Sequence, residues 1–320
     1  MPPRILVTGA AGQIGSELVV ELRRRYGDSN VVATDKAVTR AQVVPGVLEQ
    51  LDVMHYSSVE RAIKTHEVDT IFHLAAILSA AGEAHPDLAW DVNMAGLKNV
   101  LDACVRCGVR RIFWPSSIGV FGYDTPKLKA PQRAPLHPTT MYGVTKVAGE
   151  LLSEYYSLRQ GLDVRSVRFP GLISSEAKPG GGTTDYAVEI FYSALQKGSY
   201  NCFLSEDTAL PMMYMPDALR ASIELMEAES KRVTLHSGYN LAAMTFTPAQ
   251  LAAEIQRHLP SFKITYSPDS RQEIADSWPQ SIDDSAARGD WGWKPHFGLE
   301  DMVVDMLKRL KAKMSAGKDV

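Results

Sequence analysis

The chain has 320 residues, of which 45% are hydrophobic and 22% are charged, and this length favours one large domain with a smaller one. Its formal net charge of −3 gives no reason to expect a nucleic-acid partner or an anionic membrane surface. Its hydrophobic runs are shorter than the roughly 18 residues needed to cross a bilayer. The first residues lead directly into a strand pattern, so no targeting peptide is expected.

The first half of the chain alternates short β-branched runs with longer helical patterns, which indicates a parallel sheet with crossover helices. Right-handed crossovers arrange such units as a Rossmann-type doubly wound α/β fold. The predicted strands are 4–8, 31–35, 47–51, 70–74, 111–115 and 163–168, and the predicted helices are 13–26, 86–106 and 142–160.

Beyond Phe169 the predicted elements become shorter and less regular, and a glycine-rich stretch occupies 179–182. We therefore predict a NAD-binding Rossmann domain over 1–172 that carries the catalytic residues. A smaller α/β domain over 173–320 is expected to bind mainly the substrate, with some segments returning to the first domain. Its predicted elements are helices 185–197, 216–228, 248–258 and 298–313 and a strand at 212–214.

A glycine pattern lies between the first predicted strand and helix, where Gly9, Gly12 and Gly15 are spaced three residues apart. Such glycines allow a tight turn and a close approach of the backbone to a pyrophosphate, which the following helix N-terminus attracts. Asp35 closes the second strand, where a carboxylate accepts both ribose hydroxyls and repels a 2′-phosphate. The pattern therefore predicts NAD rather than NADP, although Lys36 is a cation that could accommodate a phosphate.

Further cofactor contacts are expected at the ends of the other strands, because ligands of such folds bind at the carboxyl edge of the sheet. His73 is interpreted as a satisfied core residue of its strand rather than a catalytic group. The expected additional contacts are Gln13, Ile14, Asp52, Val53, Leu74, Ala75, Ala76, Tyr142, Lys146 and Pro170.

A Tyr-x-x-x-Lys spacing places Tyr142 and Lys146 on one face of a predicted helix. A free tyrosine has a pKa of about 10, and a lysine cation nearby is expected to lower it. A tyrosinate can then remove a proton from a substrate alcohol. Ser116 and Ser117 follow the fifth strand at the same edge of the sheet, where a hydroxyl can hold the substrate oxygen.

The three cysteines do not form a disulfide framework. Cys104 and Cys107 are interpreted as small apolar residues of a helix rather than as a redox or metal pair. We expect no metal, since neither a second cysteine pair nor a histidine cluster completes a site.

These motifs resemble those of the extended short-chain dehydrogenase/reductase superfamily, which includes UDP-galactose 4-epimerase. The resemblance covers nearly the whole chain and implies that Ser117, rather than Ser116, is the catalytic serine. Phe121 stands where the superfamily usually has tyrosine, which is a mild departure. The matching stretches are 9–15, 73–76, 116–122, 142–146 and 291–295.

Within that superfamily, the chain is most similar to the short-chain type of L-threonine 3-dehydrogenase. The resemblance implies NAD-dependent oxidation of L-threonine at its C3 hydroxyl to 2-amino-3-ketobutyrate, by Ser117, Tyr142 and Lys146. It also implies a homodimer formed by the helices near 86–106 and 142–160. The protein is expected in the cytoplasm if it is bacterial and in mitochondria if it is eukaryotic, and it is not expected to be secreted. The stretches that carry this resemblance are 78–83, 168–174, 179–187, 210–216 and 277–279.

The predicted substrate domain is poor in cations, since segment 172–217 contains only Lys178 and Lys197. A nucleotide sugar needs cations for its diphosphate, whereas a small zwitterion needs hydroxyl or amide donors and one acceptor. Ser79, Thr184 and the backbone of 180–182 are candidate donors. Alternative functions are a nucleotide-sugar epimerase or dehydratase on the same fold and a non-catalytic NAD-sensing protein.

Two further candidate substrate contacts could instead have a purely structural role. Asp185 is a candidate acceptor for the ammonium group, and it is equally suited to cap the helix that it opens. Trp278 could close the pocket over a methyl group, and it could also belong to the hydrophobic core.

Overall fold

The computed structural model describes residues 2–37, 46–178, 180 and 182–316. The strands are β1 (Ile5–Thr8), β2 (Val31–Asp35), β3 (Leu48–Gln50), β4 (Thr70–His73), β5 (Arg111–Phe113), β6 (Ser116–Ser117), β7 (Asp163–Arg165), β8 (Val167–Phe169), β9 (Gly171–Ile173), β10 (Ser199–Cys202), β11 (Leu210–Tyr214), β12 (Tyr239–Asn240), β13 (Met244–Phe246) and β14 (Lys263–Tyr266). The helices are α1 (Gln13–Tyr26), α2 (Tyr56–Thr65), α3 (Ser79–Ala84), α4 (Pro86–Trp90), α5 (Leu97–Cys107), α6 (Met141–Gln160), α7 (Tyr186–Gln196), α8 (Met215–Glu227), α9 (Pro248–His258), α10 (Arg271–Ser277), α11 (Ser285–Trp291) and α12 (Leu299–Ser315).

The main sheet has six strands in the order β3-β2-β1-β4-β5-β7, and all neighbouring strands are parallel. This is the strand order of a Rossmann fold, and it confirms the predicted fold class. The order reverses between β1 and β4, so a ligand crevice is expected where Thr8 lies beside His73.

The strand predicted over 163–168 is divided at Ser166 into β7 and β8, because the chain passes there from one sheet to another. Residues of β7 pair with β5 in the main sheet, whereas β8 pairs with β6 and β12 in a second sheet. After Pro170, β9 pairs with β11 in a third sheet. Ser166 separates the first two strands and is fully buried.

The helix predicted over 86–106 is interrupted by a π-helical turn from Asp91 to Gly96, between α4 and α5. Such turns add a residue to the helix and frequently occur at functional sites. Gly108 ends α5 in the left-handed region at φ 71°, as expected for a helix C-terminus. Helices α2 and α3 were not predicted.

The hydrophobic core covers both faces of the main sheet. Alternate strand residues such as Val7 and Phe72 pack against α1 and α8, whereas Leu6 and Ile71 pack against α2 and α5. A third cluster joins α7, α9 and α12. The predicted division at residue 172 falls inside β9 and stays a prediction. In the described part of the chain, no helix is long and apolar enough to span a bilayer.

Candidate active site

Helix α6 carries Tyr142 and Lys146 at its amino end. The helix starts after Thr140, whose hydroxyl accepts from the Gly143 amide at 3.0 Å. One turn separates the two side chains, and the Lys146 ammonium lies 5.4 Å from the centre of the Tyr142 ring. Lys146 also donates to the Pro115 carbonyl at 2.7 Å. The predicted pair therefore faces one cleft.

Strand β6 brings Ser117 to the same cleft. Its hydroxyl accepts from the Gly119 amide at 3.1 Å and interacts with the Tyr142 phenol in a way that lowers the pKa of that phenol. A side chain at Gly119 would place its Cβ 3.2 Å from the Tyr142 ring, so the close approach of the two segments favours glycine there. The three predicted catalytic residues thus meet in one place.

Burial dominates the electrostatics of this pair. It lowers the pKa of Lys146 to about 7, and the Glu150 carboxylate opposes that shift. It raises the pKa of Tyr142 to about 12, although the interaction with Ser117 acts in the opposite direction. The expectation that Lys146 lowers the phenol pKa is therefore wrong, because the removal of both groups from water outweighs their proximity.

The glycine turn between β1 and α1 has the tight backbone that a pyrophosphate site requires. At Gly9, with φ +71°, a Cβ would lie 2.6 Å from the Ala75 nitrogen, and at Gly15 a Cβ would lie 2.3 Å from the Gly9 oxygen. Gly12 occupies the N-cap of α1 without a side-chain cap, so the first amides of the helix are available to an anion. These residues fit a dinucleotide.

Asp35 lies against this turn at the end of β2, where its carboxylate accepts from the Ala11 and Ala37 amides at 3.0 Å each. Lys36 forms an ion pair with Asp52 at 3.0 Å. Burial tends to raise the pKa of Asp52, but the Met54 amide and Lys36 outweigh it and hold the pKa below its usual value. Lys36 is thus engaged by a carboxylate, which favours NAD over NADP.

The remaining predicted cofactor residues lie at the same edge of the sheet. Val53 is buried beneath Gly96, and Ala75 lies against Gly9. The others line the cavity that contains the catalytic residues, and they are Gln13, Ile14, Leu74, Ala76 and Pro170.

That cavity has a volume of about 150 Å³, which is below the roughly 300 Å³ at which common ligand pockets begin. It collects residues from α1, α3, α6, β6 and β9, together with the segment that follows the glycine-rich stretch. Positions 179 and 181 of that stretch lie outside the described residues. All the predicted substrate contacts line it, namely Ser79, Ser117, Tyr142, Thr184, Asp185 and Trp278.

Two of these contacts have partners of their own. Asp185 stands at the N-cap position of α7 but makes no side-chain cap to that helix, and its carboxylate accepts from the Gly182 amide at 2.7 Å. Trp278 is 7% exposed and packs in the hydrophobic core while one edge lines the cavity. Their roles toward a substrate stay predictions.

A buried polar network beneath the site was not predicted. Glu150 accepts from Ser116 at 2.6 Å and pairs with Arg168 at 2.7 Å. In the π-helical turn, Asn93 bonds both backbone groups of Ile77 and the Thr145 hydroxyl. Only the spacing of Glu150, four residues after Lys146 on the same helix face, could have indicated part of this network.

His73 and Cys104 are buried, and their interpretation as structural residues stays a prediction. His73 is buried and hydrogen-bonded to Thr8 at 2.7 Å, and burial lowers its pKa to about 3. Cys104 is fully buried, and burial raises the pKa of the Cys107 thiol. Within the described ranges, no three His, Cys, Asp or Glu side chains form a metal-binding group.

The comparisons with known proteins give the family of the chain. The model of the NAD-dependent epimerase/dehydratase family matches residues 5–242, and the chain belongs to that family. It is an oxidoreductase with a Rossmann fold, and its cofactor is NAD.

Among individual relatives, an uncharacterized epimerase/dehydratase of Staphylococcus haemolyticus is 50% identical over 97% of this chain and 98% of its own. A solved L-threonine dehydrogenase of Cupriavidus necator in its holo form is 51% identical, with a TM-score of 0.94, over 96% of this chain and all of that one. A monomeric L-threonine 3-dehydrogenase from a metagenome is 46% identical, with a TM-score of 0.92, over 96% of this chain and 99% of that one.

Proposed function

We propose that the protein catalyses NAD-dependent oxidation of L-threonine at its C3 hydroxyl to 2-amino-3-ketobutyrate, in threonine catabolism. The observation that carries this proposal is a small cavity in which Ser117, Tyr142 and Lys146 meet beside the glycine turn. The similarity to solved L-threonine dehydrogenases at about 50% identity supports the substrate.

In the proposed reaction, Tyr142 accepts the proton of the substrate hydroxyl while Ser117 holds the oxygen. Bound NAD supplies the acceptor for the C3 hydride and adds the positive charge of its nicotinamide ring. Burial raises the pKa of Tyr142 to about 12, and the nicotinamide charge would act against that effect. Lys146, whose ammonium donates to the Pro115 carbonyl, would act on the phenol and bind the nicotinamide ribose of NAD.

The charge of the cavity supports a small amino acid over a nucleotide sugar. Lys146 is the one lysine or arginine among the described residues that line it, and its ammonium is already bonded to the Pro115 carbonyl. A diphosphate needs further cations. For a zwitterion, Ser79 and Thr184 can donate to the carboxylate, and Asp185 can accept from the ammonium group.

The test is to measure NAD reduction by absorbance with L-threonine, other amino alcohols and hydroxy acids, beside turnover of UDP- and GDP-sugars. We expect threonine to be oxidised and the nucleotide sugars to be left unchanged. Turnover of a nucleotide sugar would instead support an epimerase or dehydratase. NAD binding without any turnover would support a sensing protein and contradict the proposal.

We also propose that the protein forms a homodimer through α4 and α6. An exposed apolar stripe follows the outer face of these helices, and its members are Leu88, Trp90, Val144, Leu151, Tyr155 and Leu158. The residues Leu97, Val100 and Leu101 are fully buried against the sheet and do not contribute to it. A second copy would cover the stripe by packing four helices together.

Because the Staphylococcus relative is bacterial, we place the protein in the cytoplasm.

A further inference from the structure

The hydroxyl of Ser174, directly after β9, uses its full hydrogen-bonding capacity. It donates to the Glu17 carboxylate at 2.5 Å and accepts from the Glu176 and Ala177 amides at 2.9 and 3.0 Å. A hydroxyl has one donor and two acceptor positions, so all three are occupied. Ser174 is completely buried, and its turn is therefore tied to α1 by a side chain that cannot exchange this partner for water.

The two residues joined by this bond belong to elements that border the cavity. Glu17 lies one turn beyond Gln13 on α1, and Gln13 lines the cavity beside the glycine turn. Ser174 follows Gly171 and Leu172, which also line it. The Glu17–Ser174 pair thus connects the cofactor helix to the strand that forms one wall of the substrate cavity.

A second contact fixes the same turn from the other side. Lys313, near the end of α12, donates to the Ser175 carbonyl at 2.7 Å and forms an ion pair with Glu176 at 2.6 Å. The backbone leaving this turn continues to Thr184 and Asp185, which line the cavity. The turn therefore has hydrogen bonds to both flanking helices.

We propose that Glu17 and Ser174 are positioning residues that hold the substrate wall of the cavity in register with the cofactor helix. The proposal rests on the proposed function, since it assigns their effect to threonine binding. Neither residue lines the cavity, and neither contacts Ser117, Tyr142 or Lys146 in the described structure. Their loss should weaken substrate binding before it affects the chemical step.

The test compares Glu17→Ala and Ser174→Ala with the conservative Glu17→Gln, whose amide oxygen still accepts from the serine. Glu21→Ala is the matched control, because Glu21 lies one turn further along α1 and, among the described residues, has Arg24 as its hydrogen-bond partner. We expect both disrupting variants to raise the KM for threonine about fivefold, the effect of one lost hydrogen bond. The kcat and the KM for NAD should stay within about twofold of the original values.

Hydrogen exchange at the Glu176 and Ala177 amides, followed with and without NAD, provides a readout that does not depend on turnover. Protection should fall in Glu17→Ala and Ser174→Ala and be retained in Glu17→Gln and Glu21→Ala. An unchanged KM in both disrupting variants, or parallel losses of kcat and NAD affinity, would overturn the proposal. If the original chain does not oxidise threonine, the proposed function fails. Separately, if the Glu176 and Ala177 amides stay protected from exchange in Glu17→Ala, the proposed positioning role of the Glu17–Ser174 pair is refuted.

Discussion

Replacement of Glu17 by glutamine should stabilise the protein at alkaline pH. Burial raises the pKa of Glu17 from its ordinary 4.5 to about 7. Ser174 lowers it, Glu176 raises it, and Lys313 and Arg309 lower it, all with smaller effects than burial. The folded chain therefore binds a proton that the unfolded chain has already released between about pH 4.5 and 7.

The sign and size follow from linkage. Where the folded state holds the extra proton, the free energy of unfolding falls as pH rises. Over this interval the loss amounts to about 3 kcal/mol at most, since each pKa unit corresponds to about 1.4 kcal/mol. Above pH 7 the full penalty of an ionised, largely buried carboxylate is present. Glutamine removes that penalty while it keeps the acceptor for Ser174.

The assay is urea denaturation of both proteins at about pH 5 and about pH 8. We expect nearly equal stabilities at the acidic pH and a glutamine variant that is more stable by about 2–3 kcal/mol at the alkaline one. Glu21→Gln serves as the control, because the hydrogen bond from Arg24 holds the pKa of Glu21 below its usual value. A Glu17→Gln variant with the same stability difference at both pH values would refute the reasoning.

Three other predictions concern the site and the surface. Tyr142→Phe should reduce kcat by a factor of about 10²–10⁴, because the general base is lost, while the NAD affinity measured by fluorescence titration stays unchanged. An unaltered kcat would remove the phenol from the mechanism. Asp35→Ser should raise the KM for NAD about tenfold and allow use of NADP, since it removes a carboxylate that repels the 2′-phosphate, and a constant NAD/NADP ratio in kinetic assays would contradict that role. Leu158→Glu, at a side chain that is 73% exposed, should convert a dimer to a monomer in light scattering by placing a charge in the apolar stripe, and an unchanged mass would place the interface elsewhere.

Local patterns predicted the parts of the site that lie close together in the sequence. The glycine spacing from Gly9 to Gly15 and the one-turn spacing of Tyr142 and Lys146 both specify geometry within a single element. The structure brings these two motifs to one cavity because β1 and β5 are parallel strands of one sheet, and the segments that follow them leave at the same edge. A parallel sheet therefore allowed the site to be assembled from short motifs.

Contacts between distant segments could not be predicted in this way. The bonds that Glu150 makes with Ser116 and Arg168 join two strands to a helix, and no periodicity marks such a triad. The raised pKa of Tyr142 has the same origin, since the degree of burial depends on the surrounding tertiary structure. Helical spacing predicted that the lysine and tyrosine side chains lie close together, but it did not predict that both are buried away from solvent.

The passage of residues 163–173 through three sheets affects how this scaffold could be re-engineered. Because β7, β8 and β9 follow one another with single residues between them, an insertion or deletion there would shift the pairing of more than one sheet at once. A designer who wished to exchange the substrate-binding half for that of a relative would therefore place the junction beyond Ile173. The shape of the substrate cavity would then be varied without disturbing the strands β7, β8 and β9 that connect the three sheets.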